Sequence, residues 1–141
     1  MEIREKTQVQ LLQDVIAVLN HHKELLEKLM KKFPRLVILN KTFAQHRKVA
    51  CAMINEMMDE LSAYGDALGD PDPVNEYNAY WQAALVRWHS INEHRAIILF
   101  GELVRRLRGM YQKTQDAGAE LPASFRLLLS RHLKLLPVAI K

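Results

Sequence analysis

Apolar residues recur at every third or fourth position through most of this chain of 141 residues, and no other feature restricts its fold as strongly. That spacing places apolar side chains along one face of an α-helix, whereas a strand needs alternation at every second position. With 49% hydrophobic residues, five glycines and five prolines, the chain is also unlike a disordered segment or a linker. The pattern therefore predicts an all-α fold built from long amphipathic helices.

Breaker and capping residues divide this pattern into five segments. Pro34 follows Phe33 and suits the first turn of a second helix, and Gly65 is a good terminator for that helix. Ser90 and Glu93, three positions apart, form a capping box that begins a further helix. The predicted helices cover residues of about 7–32, 34–64, 73–89, 91–117 and 122–136, within a single domain of residues 1–141.

The short breaks near residue 34 and residue 120 predict two antiparallel helix hairpins, and together these make a four-helix bundle. The helix of residues 73–89 joins the hairpins and spans roughly 24 Å at 1.5 Å per residue. A simple up-and-down bundle does not need so long a connection. We therefore predict an additional crossover helix that carries the chain back along the bundle.

The net charge of +4 conceals a strong segregation of charge along the chain. Residues 31–50 contain six Lys or Arg and no acidic residue, whereas residues 51–80 contain seven Asp or Glu and no Lys or Arg. Solvated helix faces are one interpretation of this pattern. The other is a dipolar surface that guides self-association or the binding of an acidic partner.

Cysteine content and hydropathy predict where the chain is found. Cys51 is the only cysteine, which excludes an internal disulfide and fits a reducing compartment, so we predict a cytoplasmic protein. The N-terminal sequence MEIREKTQ is charged and unlike a signal peptide. No uncharged apolar run approaches the 18 residues of a membrane span, so no membrane association is predicted.

Four segments resemble a bacterial family of ferritin-like four-helix-bundle domains of unknown function. These segments are LLQDVIAVLN, HRKVACAMINEMMDELSAYG, GELVRRLRGMYQ and LPASFRLLLSRHLKLL. Together with the tryptophan-bearing segment they cover nearly the whole chain, and their motifs are mostly helix-packing positions. The resemblance implies a ferritin-like fold and does not imply an activity.

Histidine replaces an apolar residue on three inward helix stripes, at His22, His46 and His132. Ferritin-like carboxylate bundles build a di-metal site from glutamates and two Glu-x-x-His motifs. No Glu-x-x-His occurs in this chain, and the residues three positions before the histidines are apolar. No other catalytic motif is present, which favours a non-enzymatic protein over an enzyme.

Helix arithmetic predicts where the three histidines lie in the bundle. His22 and His46 are each roughly 17 Å from the first hairpin turn, so they face each other at one level. His132 reaches the same level if residues 73–89 cross the bundle, and Glu102 falls within about one turn of it. One hypothesis is therefore a metal site made by His22, His46, His132 and Glu102. Neutral imidazoles with a carboxylate suit Zn²⁺, and also Fe, Ni or Cu ions.

The alternative is a polar core layer in which the histidines bond to one another, to Asn20, to Gln45 or to water. We favour this alternative because buried polar groups generally have hydrogen-bond partners, and such a layer helps to specify the register of a bundle. No cofactor is then required. If one is bound, it is a divalent transition metal such as zinc or iron.

Tyr77, Trp81 and Trp88 follow a helical stripe, which predicts packing of the connecting helix against the bundle. An exposed part of these aromatics would form a dimer contact. Together with the segregated charge, these aromatics predict a non-enzymatic interaction or structural protein. Its partner would be a further copy of the chain, in a homodimer or small homo-oligomer, or an unknown protein. A metal-binding bundle is the alternative. A third hypothesis, binding of anions or nucleic acid by Arg105, Arg106, Arg108 and Lys113, is opposed by the acidic residues 51–80.

Overall fold

The computed structural model describes residues 8–63, 76–116 and 122–136. All regular structure in these residues is helical, which confirms the all-α prediction. The helices are α1 (Gln8–Lys32), α2 (Val37–Ser62), α3 (Glu76–Val86), α4 (Glu93–Asp116) and α5 (Ala123–Leu135), with a 3₁₀ turn at Trp88–Ser90. None of these helices is long and apolar enough to cross a membrane. The predicted terminator Gly65 lies outside the described residues.

The second helix begins three residues later than predicted, at Val37 rather than Pro34. Pro34 and Arg35 form a turn instead of the first helical residues. The Asn40 side chain donates a hydrogen bond of 2.9 Å to the Phe33 carbonyl, and the Asn40 backbone N–H bonds to Leu36. Asn40 therefore satisfies a carbonyl left open at the end of α1, and this interaction stabilises a tight turn between the two helices.

The predicted capping box at Ser90 and Glu93 is wrong. The Ser90 hydroxyl donates to the Arg87 carbonyl within the 3₁₀ turn, and the α4 helix begins only at Glu93. The backbone N–H of Arg95 donates to the Asn92 side-chain oxygen at 2.9 Å. Asn92 is therefore the N-cap, because asparagine accepts from the open N–H groups of the first turn as well as serine does.

The α3 helix packs beside α1 and runs parallel to it. Tyr77, near the start of α3, hydrogen-bonds His22 in the middle of α1. Lys32, the last residue of α1, lies with its Nζ atom 5.8 Å from the ring centre of Trp88, which follows α3. The α3 helix therefore covers the half of α1 that ends at the turn between α1 and α2.

The α4 helix runs in the same direction as α2, and α5 returns antiparallel to both. Phe100, in the first half of α4, packs edge to face on Phe43, near the start of α2, with 5.0 Å between ring centres. Further along both helices, His132 of α5 bonds to Glu56 of α2 and to Tyr111 of α4. The end of α2 and the start of α4 therefore lie at opposite ends of the bundle.

The hydrophobic core contains side chains from all five α-helices. Tyr77 and Trp81 are almost fully buried, so the predicted packing of the connecting helix on the bundle is confirmed. The largest fully buried aromatic side chains are Trp81, Tyr77, Tyr111, Phe43, Phe100 and Phe125. Two histidines, His22 and His132, are buried among them.

Candidate functional site

His22 is buried on the inward face of α1. Its Nδ1 atom shares a hydrogen bond of 2.9 Å with the Tyr77 hydroxyl, and its ring stacks against Phe100 with 6.3 Å between ring centres. Its Nε2 atom is also buried and has no hydrogen-bond partner in the described part of the chain. Burial, and to a smaller extent His46, lowers the pKa of His22 from 6.5 to about 3, so the imidazole is neutral at pH 7.

His46 lies across the bundle from His22 and is half-buried. Its ring packs edge to face on Phe100, with 5.0 Å between ring centres, and burial lowers its pKa. The two histidines line a common cavity of about 250 Å³. Its remaining wall is mainly apolar and includes Met53 and Leu107, with Gln45 as a third polar residue. The predicted pairing of His22 and His46 at one level therefore agrees with the structure.

His132 belongs to a separate polar cluster. Its Nδ1 atom shares a hydrogen bond of 2.9 Å with the Tyr111 hydroxyl, and its Nε2 atom lies 3.1 Å from a carboxylate oxygen of Glu56. Arg131 forms an ion pair with the same carboxylate. Burial, and secondarily the charge of Arg131, lowers the pKa of His132 to about 4.

The structure does not bring His132 to the level of His22 and His46. His46 and Glu56 are ten residues apart on α2, which corresponds to roughly 15 Å along the helix. The reason is where α5 begins: Ser124 bonds to Glu60 near the end of α2, and His132 follows only eight residues later. Eight residues carry α5 only roughly 12 Å along the bundle, so His132 stays in the half away from the α1–α2 turn.

Glu102 does not join the histidines either. Its carboxylate forms ion pairs of 2.7 Å with Arg105 and Arg106, on the next turn of α4. Arg106 in turn lies 4.3 Å from the centre of the Tyr80 ring of α3. Glu102 therefore faces α3 at the bundle surface. Within the described ranges, no three His, Cys, Asp or Glu side chains form a group that could hold a metal ion.

Sequence reasoning missed the hydroxyl partners of the two buried histidines. Tyr77 was assigned to an apolar stripe, and both Tyr77 and Tyr111 are buried, but each also satisfies a histidine nitrogen. Burial raises the pKa of both hydroxyls well above 10, so they remain protonated. A buried tyrosine usually needs a hydrogen-bond partner, and this is the signal that would have paired them with the histidines. The predicted partner Asn20 is instead exposed.

The basic cluster of α4 is largely engaged within the protein. Arg108 donates hydrogen bonds of 2.9 Å to the carbonyls of Leu133 and Leu136 at the end of α5. Arg105 and Arg106 are paired with Glu102. These arginines therefore do not present a free row of guanidinium groups, which weakens the hypothesis of nucleic-acid binding.

The fold and site define an all-helical bundle whose core holds two separate tyrosine–histidine pairs. Comparisons of this chain with protein-family models, with curated proteins and with solved structures find no match in any of the three.

Proposed function

We propose that this chain is a ferritin-like four-helix bundle of the cytoplasm that acts without catalysis, through contact with further copies of itself. The ferritin-like topology is supported by the parallel course of α2 and α4, which requires a connection along the bundle. The free thiol of Cys51 supports a reducing compartment. The two buried histidines, His22 and His132, each have a hydroxyl partner, as structural polar groups of a core require.

The observation that carries the self-association proposal is a pair of exposed apolar residues in the first turn of α2. Val37 is 62% exposed and Ile38 is 82% exposed. Lys31, Arg35 and Lys41 surround them in sequence and are exposed as well. We call these five residues the turn-end surface. An apolar centre with a charged rim is typical of a protein interface rather than of a solvated helix face.

The charge of the molecule favours a head-to-tail contact between copies. Asp59 and the exposed Met58 lie near the far end of α2, about twenty residues from Ile38, or roughly 30 Å along the helix. Two turn-end surfaces would repel each other because both are basic. A turn-end surface against the acidic end of α2 in the next copy brings opposite charges together and joins two exposed apolar groups.

Ile38→Asp is expected to weaken self-association at least tenfold, because the substitution removes the most exposed apolar side chain and introduces a charge that repels the acidic end. Light scattering and sedimentation over a range of protein concentrations measure this effect. The association of the unaltered chain should also weaken as salt is raised, since salt screens exposed charges.

Leu135→Asp is a matched control, because Leu135 of α5 is also largely exposed but lies away from both the α1–α2 turn and the acidic end of α2. This variant should associate as the unaltered chain does. A chain that stays monomeric at high concentration would overturn the proposal. Equal weakening by both substitutions would also count against it, since the contact would not then be confined to the turn-end surface.

A second candidate function is binding of a single transition-metal ion by His22 and His46, and it rests on the buried Nε2 atom of His22. That atom has no partner in the described part of the chain, and the two imidazoles line one cavity. Both imidazoles are neutral at pH 7, as metal ligands must be. They would supply two of the four ligands that Zn²⁺ usually takes, leaving the others to water.

Zinc binding at this cavity should raise the melting temperature of the protein, because a ligand that binds only the folded state stabilises it. Protein purified without a nickel column should retain about one zinc per chain after dialysis against ZnCl₂. The double variant His22→Phe/His46→Phe should lose both effects. The exposed pair His89 and His94 provides the control, and its double alanine variant should keep them. If the His22→Phe/His46→Phe variant took up zinc as the unaltered chain does, the proposed metal site would be eliminated.

A further inference from the structure

An open cleft of about 410 Å³ lies between α3 and the start of α4. Tyr80 and Ala84 of α3 and Leu99 of α4 form its inner wall, and Ile91 and Ile98 extend the apolar surface. Ala84 is almost fully buried, and small side chains at this position leave the space open. The cleft has the volume and the mainly apolar wall of a site for a small organic molecule.

Two arginines, Arg87 and Arg95, line the same cleft. Both are exposed, and neither guanidinium has an ion-pair or hydrogen-bond partner in the part of the chain that the structure describes. This distinguishes them from Arg105 and Arg106 on the same helix, which share the carboxylate of Glu102. The unpaired guanidiniums next to an apolar wall are complementary to a negatively charged group attached to an apolar one.

The Tyr80 ring in the wall of the cleft is held in position by a neighbouring arginine. The Arg106 guanidinium lies over the Tyr80 ring, with 4.3 Å to its centre, and is itself fixed by Glu102 at 2.7 Å. A ring fixed in this way loses little conformational freedom when a ligand packs on it, which favours binding. Arg106 is not among the residues that line the cleft, so the positive charge along its wall comes from Arg87 and Arg95.

We propose that this cleft binds a small amphipathic anion. Its carboxylate, sulfonate or phosphate group would pair with Arg87 and Arg95, and its aliphatic or aromatic part would pack on Tyr80, Ala84 and Leu99. Binding of the anion in this cleft does not require self-association of the chain, and it involves neither of the buried histidines. A bare inorganic anion lacks the apolar part, and an amphipathic cation lacks the negative charge. Both should therefore bind much more weakly.

Calorimetric titration with decanoate tests the proposal directly, with displacement of the fluorescent anion 8-anilinonaphthalene-1-sulfonate as a second readout. Decanoate should bind at least tenfold more tightly than decylamine or acetate, which lack its charge and its chain respectively. The double variant Arg87→Gln/Arg95→Gln should weaken decanoate binding about tenfold or more, through loss of charge-assisted hydrogen bonds. Ala84→Leu should also weaken decanoate binding, because the larger side chain would fill part of the cleft.

Arg126→Gln is the matched control, since Arg126 is an exposed arginine on α5, remote from the cleft. It should leave decanoate binding unchanged. Equal binding of decanoate and decylamine would overturn the proposal, because the arginines would then play no part. So would a normal affinity of the Arg87→Gln/Arg95→Gln variant, provided that circular dichroism shows an intact helical fold.

Discussion

Replacing Phe100 by alanine is expected to lower the free energy of unfolding by about 3–5 kcal/mol. Phe100 is 1% exposed and is the residue of α4 on which rings from both helices of the first hairpin converge. Its ring centre lies 5.0 Å from those of Phe43 and His46 and 6.3 Å from that of His22. Truncation would remove these contacts and enlarge the adjacent cavity, since packed helices relax only partly around a lost side chain.

Urea denaturation followed by circular dichroism measures this loss as a lower midpoint with an unchanged slope. Leu127→Ala serves as the control, because Leu127 is 67% exposed and should change stability by no more than about 0.5 kcal/mol. If Phe100→Ala cost as little as the control, α4 would not pack on the first hairpin as described.

Acidification from neutral pH is expected to destabilise the protein strongly, and His22 makes the clearest contribution. Its pKa is about 3 in the folded protein and 6.5 when exposed. As the pH falls below 6.5, the unfolded chain takes up a proton at this histidine and the folded protein does not. The stabilisation is therefore complete above pH 6.5 and is lost progressively until the pH reaches about 3. Near pH 4.5, protonation of this histidine in the unfolded chain should have lowered the free energy of unfolding by about 2–3 kcal/mol.

Urea denaturation at several values between about pH 4.5 and pH 6.5 checks the effect, since carboxylates in ion pairs add their own loss at lower pH. His22→Phe should show a shallower fall in stability over this range than the unaltered chain. It should not become flat, because the lowered pKa values of His46 and His132 act in the same direction. His94→Phe changes an exposed histidine and should keep the original slope. Identical slopes for all three proteins would refute the assignment to His22.

The helices could be predicted closely from the sequence because hydrophobic periodicity is a local property. The starts of α2 and α4 could not be predicted in this way, and at both places an asparagine side chain bonds to the backbone of the turn. Asn40 bonds back to the Phe33 carbonyl and Asn92 caps the first turn of α4, in place of the proline and the capping box that the pattern favoured. Each choice depends on how neighbouring turns meet, and apolar spacing does not contain that information.

The candidate site could be predicted only in part, for a similar reason. His22 and His46 belong to one hairpin, so counting residues from its turn is enough to place them at one level. His132 belongs to the other hairpin, and its level depends on where α5 starts against α2, a tertiary contact that no local pattern specifies. The arginines of the α3–α4 cleft were missed for the same reason, because they come together only when the connecting helix docks.

The connection from α2 to α4 has a consequence for the order in which the chain folds. Each hairpin joins neighbouring helices, so its contacts can form early and at small entropic cost. The contacts between the hairpins and the connecting helix join distant parts of the chain: His22 and Tyr77 are 55 residues apart, and Glu56 and His132 are 76 apart. Because such distant residues must come together, we expect docking of the two hairpins to be slow compared with the formation of each hairpin, and the two histidine clusters to be completed in that step.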